Sequence, residues 1–95
     1  MTKKQITTDL NNIISEFLKE TNVDSLIILK DEIHNIFSKI PFSDTLQKSK
    51  ELELELLNET FNSYLKSNLD ETIKKLLVGD FHRLVIMVSL SLLEK

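Results

Sequence analysis

Between Lys4 and Lys19 the apolar residues Ile6, Leu10, Ile13, Ile14, Phe17 and Leu18 recur at spacings of 4, 3, 1, 3 and 1. That is one stripe of an amphipathic helix. Thr8, Asp9, Asn12 and Glu16 take the wet side, and the polar run Glu20, Thr21 and Asn22 stops the element. A second helix opens near Asn22 to Asp24, whose side chains accept from first-turn amides. Its apolar face is Leu26, Leu29, Ile33, Ile36, Phe37 and Ile40, with Ile27 and Ile28 off the stripe. Pro41 disfavours helix at Ile40 and supplies no amide, so the helix ends there.

Ser43 and Asp44 offer new caps, and Asp44 with Gln47 resembles a capping box. From there a third helix runs to about Ser67, with Leu46, Leu54, Leu57, Phe61, Tyr64 and Leu65 inward. Within it, ELELELL at residues 51–57 alternates strictly, as a half-buried strand does. Glutamate and leucine favour helix, and no Gly, Pro or Asn-Gly turn bounds the run, so it reads as helix. Leu52 and Leu56 then form an i, i+4 pair off the core face, beside Glu51, Glu55 and Glu59.

Residues 68–70 end the third helix and cap a short fourth, in which Leu69, Ile73, Leu76 and Leu77 are apolar. Gly79 stands where a left-handed C-terminal cap is expected, and Asp80 caps a final helix. The alternative is one continuous helix with a bend at Gly79, which costs roughly 1 kcal/mol against alanine.

The last segment, Phe81 to Leu93, is the most apolar: from Leu84 onward only Ser89 and Ser91 are polar. As a helix it places Phe81, Leu84, Val85, Val88 and Leu92 on one face, and Ile86, Leu90 and Leu93 on another, roughly opposite. A helix apolar nearly all round belongs in an interior. Ninety-five residues, however, bury only about two-thirds of their unfolded surface. The fold expected is all-α, a four- to five-helix bundle in which residues 1–95 form a single compact domain with an apolar C-terminal helix. The single glycine and single proline fit long helices better than a sandwich or barrel.

Composition narrows the function more than it identifies it. With no cysteine there is neither a disulfide framework nor a thiolate zinc site. The N-terminal stretch lacks the apolar run of a secretion signal, and a cytoplasmic location is expected. Net charge is -3, and Arg83, the only arginine, lies inside the apolar segment, which argues against nucleic acid as partner. The closing segment is also too short to span a bilayer: thirteen residues at 1.5 Å cover about 20 Å of the ~30 Å core.

No motif for catalysis, metal or nucleotide binding is present. His34 with Asp31 and Glu32 is the nearest approach to a metal site or an oriented base, and a solvated helix face explains it better. The carboxylates at residues 51–59, with Lys48 and Lys50 nearby, suit solubility and i, i+4 pairing. The chain is therefore expected to be non-catalytic and without cofactor. It reads as an accessory or regulatory subunit docking on a protein partner, or as a homo-oligomer, with Ile86, Met87, Leu90 and Leu93 as the docking residues and Leu52 and Leu56 as a second strip. The competing expectation is a self-contained immunity- or inhibitor-type protein using the acidic surface around residues 51–59.

Overall fold

The computed structural model describes residues 2–94. Its four helices are α1 (Lys3–Lys19), α2 (Val23–Ser38), α3 (Asp44–Lys66) and α4 (Glu71–Val88). The connections are short, so consecutive helices run antiparallel. α1 packs on α2 and α4, and α3 packs most extensively on α4, while the α2–α3 contact is thinner than these. The described residues thus form an all-α four-helix bundle around one core.

Each helix delivers a buried phenylalanine to that core: Phe17, Phe37, Phe61 and Phe81. Phe17 stands edge-on to Phe81 at 5.0 Å between centroids and 79° between planes, and also meets Phe61 at 6.0 Å. These are the tilted arrangements that aromatic quadrupoles prefer. At the opposite end Phe37 packs on Phe42 at 5.7 Å, below the turn that contains Pro41.

Local chemistry sets the helix ends. Thr2 and Gln5 form a reciprocal capping box at α1, with Gln5 N donating to Thr2 Oγ1 and Thr2 N donating to Gln5 Oε1. Asn22 caps α2 by accepting from Ser25 N at 3.1 Å, and Asp70 caps α4 by accepting from Thr72 N at 2.8 Å. Between α3 and α4, Leu69 N donates to Tyr64 O and Asn68 N to Leu65 O. This is a Schellman termination. It places Asn68 and Leu69 in left-handed conformations at φ 60° and 62°. Leu69 folds back against the core, the apolar contact that usually accompanies this motif.

Several expectations need correction. The fourth and fifth helices are one element, and Gly79 lies in its interior without a positive φ. Asp70 already caps that helix, leaving Asp80 free to turn inward, where it is buried. α4 ends at Val88, not Leu93. The chain then turns, with Leu90 N donating to Met87 O and Ser91 N to Val88 O. Residues 89–94 form a strap across the end of the bundle, held by Leu92 N donating to Pro41 O and Lys3 N donating to Glu94 O, both at 2.9 Å.

Because the strap is not helical, the two faces predicted for this segment separate after Val88. Leu92, expected in the core, is exposed. Leu93, expected on the outer face, packs against the core beside Ile6, Ile36 and Ile40. At α3 the Asp44–Gln47 box does not form; Ser43 is the cap residue, and its hydroxyl bonds Thr45 Oγ1 instead. Lys50 does not pair with the neighbouring carboxylates either. It is buried and donates to the carbonyls of Ser38 and Ile40 at 2.7 and 2.9 Å, satisfying acceptors at the end of α2.

Candidate docking surface

α3 and α4 form a hairpin whose seam is fixed by Arg83. Its Nε lies 3.4 Å from Glu53 Oε2 on α3, and its Nη2 donates to Asp80 Oδ1 one turn earlier on α4. Asp80 is buried and its second oxygen has no hydrogen-bond partner among the described residues. The only arginine therefore stitches the seam of the hairpin, with both of its carboxylate contacts inside this chain.

Outward from that stitch the surface turns apolar. At about 100° per residue, Leu56 lies one step further from the core than Glu53, and Leu52 lies beside it. On α4, Leu76 and Ile86 flank Arg83 on the same side, and Leu90 follows in the turn after the helix. Leu52, Leu56, Leu76, Ile86 and Leu90 are between 40% and 64% exposed. The positions between them are small or weakly polar: Ser49, Thr60, Ser63, Thr72 and Gly79. Glu53 and Arg83 are the charges on this face, and with the buried Asp80 they form one cluster in which a single guanidinium meets two carboxylates.

Of the six residues expected to dock, the structure puts Leu52, Leu56, Ile86 and Leu90 on this outer side. Met87 is half-buried against the core, and Leu93 belongs to the strap at the end of the bundle. Leu76 completes the face and was not singled out from sequence. Assigned to a short fourth helix, it read only as one of that helix's apolar residues; the continuous α4 carries it in helical register with Asp80 and Arg83.

Glu51, Glu55 and Glu59 are exposed along the outer edge of α3, and none of them takes part in an ion pair among the described residues. A second exposed apolar group, Leu18, Val23, Ile27 and Ile28, lies at the other side of the bundle on α1 and α2. There, an open groove of about 490 Å³ is lined by Glu16, Lys19, Glu20, Ser25, Ile28, Leu29 and Glu32. Charge pervades that groove, unlike the α3–α4 face.

The described residues contain no group of three His, Cys, Asp or Glu side chains placed to hold a metal ion. Asp31, the carboxylate nearest His34 in sequence on that helix face, is paired with Lys30 at 2.8 Å. No described helix is long and apolar enough to cross a membrane. Among the described residues the titration of Tyr64 is displaced: burial chiefly, and then the nearby Glu71 carboxylate, push its phenol above the usual 10.0. It faces the core, away from the apolar face.

No protein-family model, curated protein or solved structure matches the chain. Any functional reading stands on the surface itself.

Proposed function

We propose that the protein is a non-catalytic helical interaction module, an accessory or regulatory subunit that docks through the outer face of the α3–α4 hairpin. The observation that carries this reading is the exposure of Leu52, Leu56, Leu76, Ile86 and Leu90 around an Arg83 that Glu53 and Asp80 engage within the chain. A group of exposed apolar side chains around an arginine whose charge is engaged within the chain has the composition of an interface centre, where apolar residues and arginine are enriched, whereas scattered single leucines do not. Leu90 lies outside α4, so the helix does not depend on it.

Replacing Leu90 by lysine tests the reading. The expected result is an unchanged helical circular dichroism signal and unfolding midpoint, with loss of the assemblies formed by the native, untagged protein. Unfolding of the isolated chain would make the face part of the core.

A second reading rests on the unpaired Glu51, Glu55 and Glu59, which offer a basic target an acidic ridge. Ionic strength separates the two. Binding through the ridge weakens as salt rises and screens exposed charge, while docking through the leucines does not.

A further inference from the structure

Gly79 has no explanation inside the monomer. It sits in the interior of α4, where glycine costs roughly 1 kcal/mol against alanine. Its φ is not positive, and a Cβ built on it meets nothing within 4 Å. Neither backbone conformation nor packing within the chain requires it. Its position on the outer face does suggest a use: Thr72, Leu76, Gly79, Arg83 and Ile86 follow one another at spacings of 4, 3, 4 and 3, the seam of a coiled coil, and Gly79 is a notch in that seam.

We infer that the notch receives Leu56 from a second copy of this chain, in a symmetric dimer that sets α3 of each copy against α4 of the other. The inference rests on the docking reading above and names its partner. Register follows from the seam. Arg83 is level with Glu53, and the helices are antiparallel, so Gly79 is level with residue 57. A two-fold axis parallel to the helices preserves height, which brings Leu56 of the second copy to Gly79 and Leu52 of the second copy between Arg83 and Ile86. Such an interface is isologous: each leucine contact occurs twice.

Charge along the two rims supports this axis. Along the outer rim of α3 stand Glu59 and, further on, Lys66; along the outer rim of α4, within roughly 3 Å of the same levels, stand Lys75 and Glu71, the latter also 4.0 Å from Lys74. The parallel axis apposes the two rims, acid to base at the first level and base to acid at the second. A two-fold axis perpendicular to the helices would stack α3 on α3 and α4 on α4, and Glu59 would then not meet Lys75. Complementary rims of this kind fix register and exclude wrong pairings more than they add affinity.

Sedimentation equilibrium of the native, untagged chain decides the matter. The expected mass is twice 11.0 kDa, falling toward 11.0 kDa on dilution. Gly79→Gln, a better helix former, is expected to raise the unfolding midpoint of the monomer while dispersing the dimer, a combination that a purely structural glycine does not produce. Glu59→Lys and Lys75→Glu should each weaken the dimer about tenfold, since each reversal acts at two symmetric contacts, and the double variant should recover it. A wild-type mass of 11.0 kDa up to about 1 mM, the weak end of specific association, overturns the dimer. So does a Gly79→Gln protein that still associates, or a charge swap that does not recover. If the wild type is monomeric and Leu90→Lys remains folded, the second copy is wrong and the docking face stands. If Leu90→Lys unfolds the monomer, both fall.

Discussion

Arg83 donates to Asp80 one turn back along α4 and also reaches Glu53 on α3, so one half-exposed guanidinium serves a buried carboxylate and an adjacent helix. The buried partner makes this more than a surface ion pair, because the second oxygen of the Asp80 carboxylate has no hydrogen bond among the described residues. Removing the arginine leaves an uncompensated carboxylate in the seam.

Arg83→Met is therefore expected to lower stability by about 1–3 kcal/mol in urea unfolding, less than the 3–5 of a fully buried pair because Arg83 is itself half in water. Adding Asp80→Leu removes the stranded charge and should return most of the loss. Additive losses in the two single variants would show that the pair is not coupled.

The strap makes a prediction about neighbours. Leu93 packs against the core beside Ile6 and Ile40, while Leu92 points to solvent. Leu93→Ala should cost about 1–2 kcal/mol, below the 2–5 of a fully buried leucine. Leu92→Ala should stay within about 0.5 kcal/mol of wild type, as surface substitutions do. The helical reading of residues 81–93 predicts the reverse order, so thermal unfolding of the two variants distinguishes strap from helix.

That contrast marks what was legible in the amino-acid pattern. Stripes such as Ile6, Leu10, Ile14 and Phe17 are local properties of one helix, and they placed three of the helices and most of the core. Helix termination after Val88 is not local: it depends on amides at Leu92 and Lys3 finding the carbonyls of Pro41 and Glu94 across the bundle. Lys50 follows the same logic. Its sequence neighbours are glutamates, yet its ammonium goes to two carbonyls at the end of α2, beside the Phe42 ring. For the candidate site, Leu52, Leu56 and Ile86 were readable as residues off their stripes, whereas Leu76 and Gly79 joined the face only once α4 was continuous.

Tyr64 supplies a spectroscopic test of the core. It is the only tyrosine, there is no tryptophan, and burial followed by the Glu71 carboxylate raises its pKa above 10.0. Below pH 10 folded and unfolded chains both keep the phenolic proton, and the full stability is present. Above that value the unfolded chain releases its proton first, so stability declines as pH rises through the folded pKa. Tyrosinate absorbance should appear above pH 10 in the folded protein, Glu71→Gln should bring it lower, and Tyr64→Phe should soften the alkaline loss of stability. Ordinary titration in the folded state would contradict the buried placement.

The claim beneath the functional reading is that the bundle closes without the side chains of its α3–α4 outer face. Urea unfolding of the combined Leu52→Gln, Leu56→Gln, Leu76→Gln and Ile86→Gln variant tests it, at a concentration where dilution no longer moves the midpoint. Spare side chains predict a stability within about 2 kcal/mol of the dissociated wild type, four surface changes at up to 0.5 each. A loss of about 8 kcal/mol or more, or failure to fold, is what four core leucine-sized truncations would produce, and it would contradict the account.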